Sequence, residues 1–185
     1  MDKVVSKTKY SRKQHKKFYF FHMFHRSKSI YFIAGMTLFV IIFAIYNTIK
    51  NPEGLQNTLL LWGVVSFSIM LTPLLMIHRI NSIVKNETEE TKNSTDTIEV
   101  TKVKIQRSNT ASIGKAVVGW NQVEAVCETK DCIYIYTGPS QGLFIVKADI
   151  VEGDVELFRR LAESNMIKNR RGKVKYKKYF KELKK

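Results

Sequence analysis

Apolar residues follow three different regimes along this chain. From Ser29 to Ile49 the sequence SIYFIAGMTLFVIIFAIYNTI carries no charged side chain, and a second uncharged run, TLLLWGVVSFSIMLTPLLMIH, extends from Thr58 to His78. An α-helix rises about 1.5 Å per residue, so either run is long enough to cross the ~30 Å hydrocarbon layer of a bilayer. Core helices of soluble proteins seldom stay apolar on every face for five turns. Pro73 falls near the end of the second run, where a neighbouring helix or a hydroxyl side chain can satisfy the carbonyl that proline frees. Only KNPEGLQN, Lys50 to Asn57, separates the runs, and its Pro52 and Gly54 favour a turn. So short a connection predicts an antiparallel hairpin of two transmembrane helices, 29–49 and 58–78, within a membrane segment covering 29–80.

The third regime follows a polar linker, 81–97, whose Asn86 to Thr97 stretch has no large apolar residue. From there the apolar period falls to two. Ile98, Val100, Val103 and Ile105 predict one strand, Ile113, Val117 and Val118 a second, and Val123 and Val126, opened by Trp120, a third. Ile133 to Tyr136 and Leu143 to Val146 give a fourth and a fifth. Short turns between them predict an antiparallel meander. Asp154 is a candidate N-cap for a helix reaching Asn165, with Val155, Leu157, Phe158, Leu161 and Ala162 on its apolar face. The fold class expected is thus a membrane α-helical hairpin plus a small α+β domain, 98–165. Its antiparallel sheet of about five strands is covered by a C-terminal helix over a core including Trp120, Val126, Ile135, Phe144, Phe158 and Leu161.

Charge then orients the hairpin. Nine Lys or Arg and one acid, Asp2, precede the first run, whereas the connecting loop holds only Lys50 and Glu53. Cytoplasmic flanks carry the excess of Lys and Arg, so both termini are expected in the cytoplasm of a multi-pass cell-membrane protein. The first run starts after 28 residues and no small-residue cleavage site follows it, which predicts that it is retained. The formal net charge of +15 is concentrated at the ends: residues 81–164 hold ten basic and thirteen acidic side chains, 168–185 ten basic and one acidic. The N-terminal segment 1–28 mixes five aromatics with its basic residues between Gln14 and Lys28, a composition suited to an anionic lipid surface. Lys13, Lys16, Lys17, Arg26 and Lys28 at this end are therefore candidates for membrane-surface contact, as are Lys173, Lys175, Lys177, Lys178 and Lys181 in the tail 166–185. A helix from Lys173 onward would gather Tyr176, Tyr179, Phe180 and Leu183 on one side of that tail. Nucleic acid is the competing polyanion, but no nucleic-acid-binding motif accompanies the lysines.

Candidate chemistry is sparse. Cys127 and Cys132 flank four residues and could face each other across a hairpin, yet cytoplasmic thiols stay reduced. His22 and His25 share a helix face without the carboxylate or thiolate partners of a metal site. The spans contain no ionisable interior residue of the kind that marks a proton or ion path. The glycine-bearing loop Gly138 to Gly142 could present amides to a phosphate, although a hairpin turn explains it equally. No catalytic, metal or cofactor-binding set emerges, and no enzyme activity is expected.

The basic aromatic N-terminus, two spans with a minimal loop, and the segment GWNQVEAVCETKDCIYIYTGPSQGLFIVKADI together resemble the YcxB-like family of bacterial membrane proteins. Trp120, Val123, Val126, Glu128 and the Ile133 to Tyr136 strand match that family's pattern. In its Pro-Lys-x-x-Phe element Lys147 matches, while Val146 and Ile150 replace the Pro and the Phe. The resemblance implies a pleckstrin-homology-like domain and no known activity, cofactor or catalytic residue. The function expected is a membrane-anchored cytoplasmic binding or regulatory module, held at the inner leaflet by the hairpin and the basic ends. Its expected partners are the membrane itself, anionic headgroups, and a membrane protein or second copy. The alternative is an auxiliary subunit of a larger membrane transport or secretion complex.

Overall fold

A computed structural model describes residues 2–50, 54–111, 114–139 and 141–180. In chain order it contains β1 (Val4–Lys9), α1 (Arg12–His25), α2 (Lys28–Lys50), α3 (Leu55–Lys85), α4 (Glu89–Lys92), β2 (Thr95–Val100), β3 (Lys104–Asn109), β4 (Lys115–Gly119), β5 (Ala125–Glu128), β6 (Cys132–Tyr136), β7 (Gly142–Val146), β8 (Ile150–Glu152), α5 (Val155–Asn165) and β9 (Tyr176–Lys178). These fall into two units, residues 15–86 and residues 1–14 with 87–185.

Among the described residues, two helices, α2 and α3, are long and apolar enough to cross a membrane, and both belong to the helical unit. α3 runs unbroken through Pro73 and past the expected end at His78 to Lys85. Charge ends the apolar run at Arg79 but not the helix, because Ile80 and Val84 continue one buried face at a spacing of four. The two helices lie against each other, and the Trp62 indole nitrogen donates to Thr48 Oγ1 at 3.2 Å. Most other large side chains on these two helices are exposed, among them Phe32, Phe39, Leu60 and Phe67.

The other unit holds two sheets, not one. The five-stranded sheet is antiparallel throughout, in the order β4-β3-β2-β1-β8. The four-stranded sheet has the order β7-β6-β5-β9, with β5 and β9 parallel. Several expectations are corrected here. The first predicted strand is two, β2 and β3, because the chain reverses at Thr101 to Val103, leaving Val103 79% exposed in the turn. Trp120 opens a 3-10 turn instead of a strand, while Ile113 lies outside the described residues. Phe144 is replaced in the core by Leu143 and Ile145, the residues on either side of it in β7. Cys127 pairs with Tyr134 and not with Cys132; both thiols are buried and unbridged.

The folded unit also exceeds the 98–165 segment. β1 lies between β2 and β8, with Val4 opposite Val100 and Ser6 opposite Ile98. Val4, Ser6 and Thr8 are buried while Lys7 and Lys9 are exposed, the alternation of a strand with one face turned to the core. Two hydroxyls on the inner face hide that pattern in the sequence; they lie 3.4 Å apart, each able to satisfy the other. Gly153, at φ 75°, allows this close approach: a Cβ there would stand 2.6 Å from the Lys3 carbonyl oxygen. α5 keeps its expected bounds, with Asp154 Oδ1 accepting from the Leu157 amide at 2.6 Å. Phe158, Leu161 and Ala162 join the core, and the Phe158 ring lies tilted against Trp120 at 6.4 Å.

Candidate functional site

β5 ends on Glu128, a carboxylate with no exposed surface. Its position follows from the strand that carries it, since all four β5 residues are buried and neighbouring strands cover both edges. Three elements bring donors to it. Lys147, in the turn after β7, donates from Nζ to Oε1 at 2.6 Å. Arg159 of α5 reaches both oxygens, Nε to Oε2 at 3.0 Å and Nη2 to Oε1 at 2.8 Å. The Tyr176 hydroxyl of β9 donates to Oε2 at 2.7 Å. Burial by itself pushes this carboxyl upward, but hydrogen bonds from Arg159, Lys147 and Tyr176 outweigh it and hold the pKa at about 2. The Tyr176 phenol moves the other way, raised first by burial and then by donating to Glu128.

Donors from three elements converge on one buried carboxylate, so the cluster acts as a clamp. It fixes the C-terminal arm. β9 lies beside β5 with Val126 opposite Tyr176, and the Glu128 carbonyl accepts from the Tyr179 amide at 2.8 Å. Lys147 Nζ also lies 4.4 Å from the centre of the Phe180 ring, within cation–π range. Glu128 and Lys147 are the two charged residues of the sequence pattern, and here they form one ion pair. Arg159 and Tyr176 escape sequence reasoning. The one signal for Arg159 is its place directly after core residue Phe158; Tyr176 gives none, because its partner lies 48 residues away.

The expected surface residues are divided between the two units. Lys16, Lys17 and Arg26 belong to the helical unit, Lys16 half-buried and Lys17 exposed, while Lys13 is exposed near the start of α1. Lys28 opens α2, but its side chain lies outside the described residues, as does the whole of Lys181. Lys173, Lys175, Lys177 and Lys178 are all exposed and close together along the arm. The arm is not the expected helix. Val174 and Tyr176 pack inward on the core while Lys173, Lys175 and Lys177 alternate outward, the period of a strand. His22 and His25 stack on Phe18 and Phe21, one turn earlier on α1. A hollow of about 270 Å³ with mixed polar and apolar lining beside Arg107 and Asn109 offers no spare guanidinium, since Arg107 is bidentate on Asp96 at 3.0 and 2.8 Å.

Residues 107–162 match the family model described as YcxB-like protein. The matched span runs from β3 through α5 and so includes Glu128, Lys147 and Arg159, while β1 and β9 lie outside it. Two long apolar helices precede it, an order compatible with a membrane part N-terminal to such a domain. No curated protein and no solved structure matches the chain.

Proposed function

We propose that this chain, with a YcxB-like domain over residues 107–162, is a membrane-anchored binding or regulatory module whose domain faces the cytoplasm. The observation that carries the reading is β1. It precedes the apolar helices, yet it pairs with β2 and β8, which follow them. A chain that crosses a bilayer twice returns to the side it left, so two spans let the sheet close, whereas one span would part β1 from its neighbours. The nine basic residues before the first apolar run at Ser29 favour the cytoplasm as that side. Two sheets with a helix packed on their core also suit the pleckstrin-homology-like scaffold. That likeness favours a headgroup or peptide ligand only by analogy of fold.

Labelling of single cysteines with a membrane-impermeant reagent in intact cells tests the topology. Gln56→Cys should react, and Lys130→Cys should react only after lysis. The reverse pattern would reject the reading. A second reading, an auxiliary subunit of a membrane transport or secretion complex, draws support from a groove of about 530 Å³ on α3 lined by Gln56, Leu59, Leu60, Gly63, Val64 and Phe67. A stoichiometric protein partner in gently solubilised membranes, lost on Gly63→Leu, would favour it.

A further inference from the structure

We propose that the segment from Lys168 to Lys178 is a preordered basic finger that binds the anionic face of the lipid bilayer. The inference rests on the membrane-anchored reading and adds to it a surface, a partner and a pose. The finger is built by its own hydrogen bonds. Lys168 and Val174 form an antiparallel bridge, and the Asn169 amide donates to the Lys173 carbonyl at 2.9 Å. Asn169 Oδ1 accepts from the amides of Arg171 and Lys173, at 2.9 and 3.2 Å. Gly172, at φ 70°, closes the turn, a conformation open to glycine at no steric cost. Beyond it, Tyr176 is clamped to Glu128. The backbone is therefore ordered before any ligand arrives, which lowers the entropy lost on binding.

What the finger displays is one sign of charge. Lys168, Arg170, Arg171, Lys173, Lys175 and Lys177 are all exposed. None of them forms an ion pair among the described residues. No Asp or Glu occurs between Ser164 and Phe180. Ile167 at its base is 63% exposed and Tyr179 at its other end 38%, apolar groups of the kind that enter a headgroup layer beside basic residues. Exposed cations spread along a turn and the strand after it suit an extended charged surface better than a single small anion. The chain itself supplies such a surface. Residues 10–11 alone join β1 to α1, and residues 86–94 join α3 to β2; nine residues reach at most about 30 Å when extended. The domain therefore stays within reach of any bilayer that α2 and α3 cross.

Hydrogen exchange of the full chain in lipid nanodiscs tests this. Amides of 168–173 should exchange several-fold more slowly in discs containing phosphatidylglycerol than in discs of phosphatidylcholine alone. The difference should vanish near 1 M salt, where the Debye length is about 3 Å. Each basic residue near an anionic leaflet strengthens attraction by a factor of about five, so Arg170→Glu with Arg171→Glu should abolish the slowing. Unchanged exchange over 125–136 would show that the fold is intact. Equal exchange in the two kinds of disc, or slowing that survives the double substitution, overturns the finger. Protection by an RNA oligonucleotide where acidic lipid gives none overturns it in favour of nucleic acid. Failure of the chain to enter discs would count against the membrane-anchored reading instead. Sedimentation with acidic or neutral vesicles would then decide the finger by itself, equal binding to both rejecting it.

Discussion

Glu128 remains charged inside the domain because three donors from three elements meet it, and at the residue scale this makes acid the probe of the clamp. Its folded pKa of about 2 lies below the unfolded value of 4.5. The stabilisation is therefore complete above pH 4.5 and is lost as pH falls toward 2. The span corresponds to roughly 3 kcal/mol. Removing one partner of a buried ion pair strands the others, so Glu128→Gln should cost about 3–5 kcal/mol at neutral pH. It should also flatten the dependence of stability on pH between 4.5 and 2. Melting of wild type and variant at about pH 7 and about pH 3 measures both effects; a variant whose melting temperature falls with acid as steeply as the wild type's would show that other carboxylates govern the loss.

Among the elements, β1 and β9 set the boundaries of the folding unit. The segment 96–165 lacks the strand between β2 and β8 and leaves an edge of β5 unpaired, so it should not melt cooperatively by itself. The structure also shows how to repair it. The Tyr10 amide donates to the Ser94 carbonyl at 3.0 Å, and Lys9 pairs with Thr95, so the ends of β1 and β2 lie beside each other. Joining Tyr10 to Ser94 through Asn-Gly makes them a hairpin. That fusion, continued to Phe180, should be soluble and melt cooperatively by circular dichroism, and removing residues 166–180 from it should lower the midpoint. A fusion no more cooperative than 96–165 would deny β1 its place.

For the whole molecule, the segment carrying α2 and α3 interrupts one sheet. Cutting the chain after Glu53 should therefore leave two pieces held together twice, by α2 against α3 and by β1 within the sheet. Co-expressed halves 1–53 and 54–185 should co-purify in mild detergent. Deleting residues 2–9 should weaken that association, because only the helix contact remains. Association unaffected by the deletion would place the whole of it in the hairpin.

The sequence by itself determined whatever depends on local period and composition. Two apolar runs gave two helices, Asp154 and the apolar face from Val155 to Ala162 gave α5, and the strongly apolar strands β6 and β7 appeared nearly at their observed bounds. The match to Glu128 and Lys147 was legible as a pattern, without its meaning. Tertiary structure decided the rest, for one physical reason: the remaining partners are far apart in sequence. β1 is a strand with hydroxyls on its buried face, recognisable only beside β2 and β8. The basic tail reads as a lipid-facing helix until Tyr176 finds a carboxylate 48 residues earlier. Local propensity is too weak to override such contacts, so Tyr176–Lys178 becomes an edge strand, with Lys173, Lys175 and Lys177 turned outward.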